Sequence, residues 1–110
     1  MKLWIDDVRE PPSYEWTWDK SVNEAIIDIQ ALESYAKYVD DDPLFHIEII
    51  SIDHDAGDYA RYGGDYIKVL DWLEATGRNY PIHIHSMNPV GVQNMRAIIQ
   101  HNNWQEVYHI

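Results

Sequence analysis

The sequence predicts a single α/β domain over residues 1–110, built on a mostly parallel sheet. Short apolar segments alternate with segments of helical periodicity, and this alternation is typical of parallel strands joined by right-handed crossovers. The 110 residues suit one domain, and 45% of them are apolar, so the chain can bury a core without disulfides. No internal repeat or low-complexity linker divides the sequence.

The first part of the chain contains two predicted strands and a long helix. Lys2–Ile5 is a short apolar strand, and Pro11-Pro12 excludes a long helix directly after it. Residues 15–18 alternate polar and aromatic side chains, as a half-buried strand does. A capping-box sequence and apolar residues at helical spacing predict a helix over Val22–Tyr38.

Strands and helices continue to alternate in the rest of the chain. Residues 47–52 are β-branched and nearly all apolar, which suits a central strand covered on both faces. Apolar residues at helical spacing between 66 and 73 mark a second helix. Ile82–Ile84 is a third apolar strand, and a helix begins after Asn88, which precedes a proline. Residues 106–110 are predicted to form a last strand at one edge.

The formal net charge of −11 and the absence of cysteine exclude several classes of protein. A surface this acidic repels phosphate backbones, so we expect no binding to nucleic-acid duplexes, and none to anionic membranes. Without cysteine there are no disulfides, thiolate zinc sites or cysteine nucleophiles. The sequence shows neither a membrane-spanning apolar run nor the pattern of a signal peptide, so we expect a cytoplasmic location.

Polar clusters follow three of the predicted strands, at the point where each strand ends. In parallel α/β sheets, ligands bind outside the carboxyl ends of the strands. Three polar clusters at one edge therefore predict a functional site there, which no single cluster would. The clusters are Asp6-Asp7, Asp53-His54-Asp55 and His85-Ser86.

The aspartates of the first two clusters predict a site for a divalent metal. Hard cations such as Mg²⁺ or Mn²⁺ bind carboxylate oxygens, and several carboxylates in one cleft repel each other unless a cation compensates. The alternative is that one aspartate of each group caps a loop while the others face water. The predicted ligands are Asp6, Asp7, Asp53 and Asp55.

Histidines at the same edge are candidates for acid–base catalysis. His54 lies between two aspartates and His85 follows a strand, and either ligates a metal or transfers protons near neutral pH. A structural role is equally compatible with their positions. For His83, whose side-chain direction the sequence leaves open, we favour a hydrogen-bonded structural histidine.

Three further residues are candidates for binding a phosphorylated ligand. Ser86 and Asn88 precede a helix start, which attracts phosphate, and Ser86 is also a possible nucleophile. Asn88 serves equally well as a plain N-cap. Arg9 suits a phosphoryl group or the nearby carboxylates, and the alternative is a surface pair with Glu10.

The chain contains three motifs, which are LWIDDVREPP at 3–12, ISIDHDAG at 50–57 and IHSMNPVG at 84–91 followed by Asn94-Met95. In this order, they resemble the cyclic-phosphate processing receiver-like domain family, small relatives of response-regulator receivers. The resemblance implies a flavodoxin-like, three-layer fold with a five-stranded sheet of order 2-1-3-4-5. It implies that Asp6 and Asp7 match the acidic metal-binding pair of receivers, Asp53 the phosphoacceptor position and Ser86 the hydroxyl residue after the fourth strand.

The departures from ordinary receivers decide among the functions that remain open. No lysine stands near the last predicted strand, where receivers hold the phosphoryl group, and His54 and His85 add acid–base chemistry. These departures are compatible with a hydrolase or a ligand sensor, and the family resemblance implies action on cyclic nucleotides or cyclic phosphates. We expect a metal-dependent phosphoesterase for such substrates, with His54, His85 and Asp53 as catalytic residues. The alternatives are a sensor or sequestering module for a small phosphorylated ligand, a phosphoacceptor switch on Asp53, and an interaction domain with a degenerate site.

Overall fold

The computed structural model describes all 110 residues as one sheet with three α-helices. Two short 3₁₀ helices, at Pro43–Phe45 and Gly57–Tyr62, lie in the connections. The main elements, in chain order, are β1 (Lys2–Ile5), β2 (Trp16–Asp19), α1 (Val22–Tyr38), β3 (Ile49–Ile52), α2 (Ile67–Ala75), β4 (Ile82–Ile84) and α3 (Pro89–His101).

The sheet is parallel throughout and has the strand order β2-β1-β3-β4. The predicted parallel sheet is thus confirmed for four strands, with the neighbours that the order 2-1-3-4-5 requires. The predicted fifth strand is wrong. Glu106 makes only an isolated parallel bridge to Ile82, on the free edge of β4.

The pairing of the C-terminal residues with β4 stops after one bridge at Glu106 and does not extend into a strand. Glu106 is held by a bidentate ion pair with Arg96 of α3, with nitrogen–oxygen distances of 2.6–2.9 Å. The three residues that follow Val107 are exposed, so lying along β4 would gain them little burial. Two backbone hydrogen bonds to Ile82 are all that remains of the strand.

The helices begin where the sequence supplies caps. Ser21 accepts a hydrogen bond from the Glu24 backbone at 3.1 Å, and α1 has the bounds that its periodicity predicts. Asn88 caps α3 in the same way, with Pro89 at the first helical position. None of the three helices combines the length and apolar character needed to cross a bilayer.

All three helices pack on the same face of the sheet, so the domain has two layers rather than the predicted three. One buried cluster joins apolar residues of every helix to alternate strand residues such as Leu3, Ile50 and Ile82. Chain order explains this arrangement. The connections through α1, α2 and α3 all move across the sheet in one direction, and right-handed crossovers then place them on one face.

The opposite face carries aromatic and polar side chains and no helix. The β1–β2 connection runs in the other direction across the sheet, and it is a loop that the prolines keep from becoming helical. The loop packs on this helix-free face through Trp4, whose indole N–H donates to the Arg9 carbonyl at 2.8 Å. Trp4, Ser51, His83 and His85 lie on this face, in neighbouring registers of β1, β3 and β4.

Candidate functional site

Asp6, Asp7 and Asp53 come together at the carboxyl edge of the sheet. One carboxylate oxygen of each lies within 4.8 Å of the others, as the metal-site prediction requires. β1 and β3 end side by side, and the backbone N–H of Asp53 donates to the Ile5 carbonyl at 2.9 Å, which holds the two strand ends together. The sheet thus brings Asp53 next to Asp6 and Asp7, which are distant from it in sequence.

Asp6 is buried and is held by three donors. Its Oδ1 accepts the backbone N–H groups of Val8 and Arg9, each at 3.0 Å, and its Oδ2 faces His85 Nε2 at 2.9 Å. Burial by itself would raise the pKa of Asp6, but the two backbone donors and His85 outweigh it and lower the pKa below the ordinary value. Asp6 is therefore a fixed, ionised carboxylate.

Asp7 is the electrostatically unfavourable member of the cluster. Burial raises its pKa, and the neighbouring Asp6 and Asp53 carboxylates raise it further. Gly57 makes room for it. This glycine has a φ of +55°, and a Cβ at its position would lie 2.4 Å from Asp7 Oδ2. The chain thus brings a third carboxylate close to two others and leaves the space it needs.

These residues fit a hard divalent cation. Three carboxylates provide the oxygen donors that Mg²⁺ or Mn²⁺ prefers. Oδ1 of Asp6 is occupied by two backbone donors, whereas Oδ2 faces only His85 and keeps a lone pair for coordination. The pKa of Asp7 is raised by burial first and then by repulsion from Asp6 and Asp53, and a cation at this point relieves that repulsion. Asp55, the fourth predicted ligand, is not among the three residues that converge here.

His85 lies behind Asp6 and is largely buried, with 6% of its side chain exposed. Its ring stacks on Trp4 with centroids 3.8 Å apart and planes 4° from parallel. Arg9 donates from its guanidinium to the His85 carbonyl at 2.9 Å. Burial lowers the pKa of His85 despite the opposing effect of Asp6, so the ring is neutral near pH 7.

Ser51 connects His85 to a second histidine. Its hydroxyl lies 2.8 Å from His85 Nδ1 and 2.7 Å from His83 Nδ1. The histidine at 83 is hydrogen-bonded, as predicted from the sequence, and burial lowers its pKa. Ser51 itself was not predicted as a site residue, although a polar residue in an otherwise apolar buried strand is a signal for one.

His54 and Asp55 form a separate group next to the aspartate cluster. His54 Nδ1 lies 2.9 Å from Asp55 Oδ1, and these two residues form a second acidic group with Asp65. Hydrogen bonding to His54 lowers the pKa of Asp55. The ring of His54 packs against Gly91 of α3, where a Cβ would lie 2.4 Å from the ring. Asp55 thus orients His54, one of the roles that its position suggests.

Asn88 and Ser86 are used mainly in starting α3. Asn88 accepts from the Gly91 backbone at 3.0 Å, and its amide nitrogen lies 3.3 Å from both Asp55 oxygens. Ser86 accepts from the Asn88 backbone at 3.1 Å. Because Pro89 has no N–H, few donors of this helix start are left for a phosphate. Their predicted role in substrate binding stays a prediction.

The sequence of residues 1–101 matches the profile of the cyclic-phosphate processing receiver domain family. The chain belongs to this family. It is a receiver-like domain involved in cyclic-phosphate processing, and its acidic cluster lies where the family motifs at 3–12 and 50–57 meet. No curated protein and no solved structure shows significant similarity to the chain.

This cyclic-phosphate processing receiver domain contains a further buried acid that the sequence does not mark as unusual. Asp19 ends β2, beside Asp6, and is completely buried. Neither of its carboxyl oxygens has a hydrogen-bond partner. Burial, with the nearby carboxylates of Asp28 and Glu24, raises the pKa of Asp19 to about 9. Asp19 is therefore a protonated acid at neutral pH.

Proposed function

We propose that this domain is a metal-dependent phosphoesterase that hydrolyses cyclic nucleotides or other cyclic phosphates. The observation that carries the proposal is the convergence of Asp6, Asp7 and Asp53 within 4.8 Å at the carboxyl edge of a parallel sheet. Membership in a cyclic-phosphate processing family supports the class of substrate.

A cation is required for this substrate on electrostatic grounds. The chain has a formal net charge of −11, and the cluster itself presents three carboxylates, so an anionic phosphate is repelled without one. Asp6, Asp7 and Asp53 would hold Mg²⁺ or Mn²⁺, which supplies charge neutralisation and polarises a phosphoryl oxygen. Ionised Asp6 remains fixed by its backbone donors whether or not the cation is bound.

The two histidines have different roles in this proposal. His54 is oriented through Nδ1 by Asp55, which leaves Nε2 to transfer a proton to or from the ligand. His85 has both ring nitrogens engaged, with Asp6 and with Ser51, so it acts behind the cluster. The guanidinium of Arg9 is anchored by one nitrogen only, and its remaining N–H groups suit a phosphoryl oxygen.

Hydrolysis of a panel of cyclic mono- and dinucleotides, with Mg²⁺ or Mn²⁺, tests the proposal. We expect turnover that a chelator abolishes and that falls at least about 100-fold in Asp53→Asn, the order that one acid–base or charge-stabilising group contributes. The matched control is Asp71→Asn, at an exposed aspartate of α2. Equal turnover in the two variants would contradict the proposal.

A module that binds the same ligand without turnover is the second candidate. The observation that favours it is the burial of His85 with both nitrogens engaged, which leaves His54 as the one histidine with a ring nitrogen free beside the cluster. Calorimetry followed by recovery of the ligand distinguishes the two, because a sensor returns it intact. Transfer of phosphate to Asp53 from a small donor is tested by labelling of the protein, and the absence of a nearby lysine disfavours it.

A further inference from the structure

An open cleft lies between the β1–β2 loop and Trp18, beside the acidic cluster. Its volume is about 400 Å³, within the range of about 300–1,000 Å³ that is usual for small-ligand sites. The indole N–H of Trp18 donates to the Asp6 carbonyl at 2.8 Å, so one wall of the cleft contacts a candidate metal ligand. The residues that line the cleft are Glu10, Pro11, Pro12, Ser13, Tyr14 and Trp18.

The lining of the cleft is aromatic and held in place. Trp18 is half-buried and its ring is fixed through the indole N–H, whereas Tyr14 is 98% exposed and contributes nothing to the core. Pro11 and Pro12 fix φ in the loop, which reduces the conformational entropy that a ligand must remove on binding. Aromatic rings beside open space suit a flat ring that stacks on them, and every nucleobase has such a face.

Glu10 adds a hydrogen-bond acceptor to this lining. Its side chain is exposed, and no cation of the protein pairs with it. A carboxylate only accepts hydrogen bonds, so it prefers the edge of a base that presents donors. Guanine presents two adjacent donors, N1–H and the 2-amino group, which together match the two oxygens of a carboxylate. Adenine and cytosine present only an amino group, and uracil only one N–H, so Glu10 favours guanine.

Contacts with a base also suit the charge of this domain. The formal net charge of −11 repels an anionic nucleotide, but the base itself is neutral, so contacts with it add affinity that the repulsion does not reduce. Two cations lie near the cleft. Lys20 Nζ is 4.6 Å from the centroid of the Trp18 ring, and Arg9 directly precedes Glu10 and reaches the His85 carbonyl. The loop therefore carries a phosphate-binding candidate followed by a base-binding one.

A larger cavity, of about 610 Å³, lies at the opposite end of the sheet and does not serve this function. It is lined by Ile47 and Pro81, which precede β3 and β4, so a ligand there is remote from the acidic cluster. Its charged residues are already paired, because Arg78 donates to Glu33 at 2.8 Å and Tyr80 donates to the same carboxylate.

We propose that the cleft binds the guanine base of a cyclic guanine nucleotide. Trp18 and Tyr14 stack on the base, and Glu10 accepts hydrogen bonds from N1–H and the 2-amino group. The assignment of this nucleotide as a substrate rests on the proposed phosphoesterase function, whereas binding of the base does not. These three residues determine specificity and do not touch the reacting phosphorus.

Titration with nucleosides tests the base site without metal and without turnover. Guanosine, inosine and adenosine carry no phosphate, so the charge of the acidic cluster has little effect on them. NMR follows the indole N–H signal of Trp18, which is identified by its loss in Trp18→Phe. We expect guanosine to bind about 5- to 150-fold more tightly than adenosine, the discrimination that one bidentate contact with a base provides, with inosine between them. Equal binding of the three nucleosides, or an unchanged Trp18 signal, would overturn the proposal.

Glu10→Gln tests recognition of the base edge. The residue is exposed, so the substitution should not unfold the domain. Glutamine has one acceptor oxygen and turns a donor toward the base, so it matches the two donors of guanine poorly. We expect the preference for guanosine to be lost while adenosine binds as tightly as before, which serves as the internal control. A preference for guanosine that survives the substitution would exclude Glu10 and overturn the assignment of guanine.

Tyr14→Ala tests stacking at a position that has no role in the core. We expect all three nucleosides to bind about 5- to 150-fold more weakly, the effect of one aromatic ring stacked on a base. Tyr38→Ala is the matched control, because Tyr38 is also an exposed tyrosine but lies at the carboxyl end of α1. Equal nucleoside affinity in the two variants would contradict the stacking role of Tyr14.

Binding and turnover together separate the base site from the enzymatic proposal. A preference for guanosine in a protein that hydrolyses no member of the panel supports the base site and contradicts the phosphoesterase. Equal nucleoside binding in an enzyme that hydrolyses cyclic nucleotides overturns the base site and leaves the phosphoesterase intact. Where both hold, Glu10→Gln should lower kcat/KM for a cyclic guanine nucleotide by about 5- to 150-fold and leave that for the adenine counterpart unchanged.

Discussion

Asp6 and Asp19 are both buried carboxyl groups at the ends of adjacent strands, but they have opposite charge states. The backbone N–H of Asp6 even donates to the Asp19 carbonyl, at 3.2 Å. Asp6 accepts from two backbone N–H groups and faces His85, and its pKa is lowered. Asp19 has no donor, and burial beside other carboxylates raises its pKa to about 9.

The difference teaches that burial alone does not determine the charge of a carboxyl group in this domain. Donors fixed by the backbone keep Asp6 ionised, and their absence keeps Asp19 protonated. The loop after β1 provides the donors, since its turn aims the N–H groups of Val8 and Arg9 at Asp6. Substitution of either aspartate by asparagine is the same chemical change, and we expect it to act differently at the two positions.

Asp19→Asn is expected to stabilise the fold, with the largest effect of the changes considered. The pKa of Asp19 is raised in the folded state. Its contribution to the wild-type free energy of unfolding is therefore fully present below the unfolded pKa near 4 and is lost as pH rises toward about 9. Asparagine does not ionise, so the variant does not lose stability in this way as pH rises. At pH 7 the gain in the free energy of unfolding reaches at most about 4 kcal/mol, the cost of protonating an ordinary aspartate there.

Denaturant unfolding at several pH values measures this gain. The difference between variant and wild type should vanish near the unfolded pKa of about 4 and grow as pH rises to neutrality. A wild-type stability that stays constant over that interval would show that Asp19 is not protonated in the fold.

Asp6→Asn is expected to impair metal binding, in addition to removing the stability that its lowered pKa contributes at neutral pH. The substitution removes one negative oxygen ligand, and even partners of metal ligands contribute about 10–100-fold to affinity, so we expect a loss of at least about 100-fold. The rise in melting temperature that Mg²⁺ or Mn²⁺ produces in the wild type should then be absent at the same metal concentration. An undiminished rise would exclude Asp6 from the metal site.

Gly57→Ala tests the space that the chain leaves for Asp7. A Cβ there would lie 2.4 Å from Asp7 Oδ2, and a φ of +55° strains any residue with a side chain. We expect a loss of about 1–2 kcal/mol in stability, together with weaker metal binding. Gly77→Ala is the control, because it shares a positive φ of 68° but its Cβ would meet nothing within 4 Å. Equal metal affinity in both variants would contradict the role of Gly57.

Ser21→Ala should have the smallest effect and one confined to the Asp19 region. Ser21 caps the helix that carries Glu24 and Asp28, which both face Asp19. Loss of the cap should cost about 1 kcal/mol of stability. The melting-temperature rise caused by metal should be unchanged. A smaller metal-induced rise in melting temperature would show that the surroundings of Asp19 and the cluster of Asp6, Asp7 and Asp53 are not independent.

Sequence reasoning predicted the elements that depend on local signals. The bounds of α1 follow from its cap and its apolar period, and the acidic clusters were placed at strand ends by chain order alone. Asp6, Asp7 and Asp53 then converge because parallel strands end at one edge. Their role as ligands and the identity of the metal stay predictions.

The features that sequence reasoning missed depend on non-local geometry. The two-layer arrangement follows from handedness once the strand order is known, but the expected third layer came from resemblance. The last strand does not extend beyond one bridge because residues 108–110 are exposed and would bury little surface along β4. The side-chain direction of His83 was undetermined until its register with Ser51 was known. The unusual charge state of Asp19 required knowledge of what surrounds it.

The central position of β1 determines the order in which this chain can assemble. Lys2 pairs with Ile49, so β1 gains this neighbour in the sheet only after a further 47 residues have been synthesised. At ribosomal rates of about 5–20 residues per second, that interval is roughly 2–9 s. During it, β1 has only β2 as a strand partner, and the edge of β1 that β3 later covers is unpaired. Pairing of β1 with β2 is therefore the earliest sheet contact available to the nascent chain, and pairing of β1 with β3 is the more distant contact, which becomes available only later.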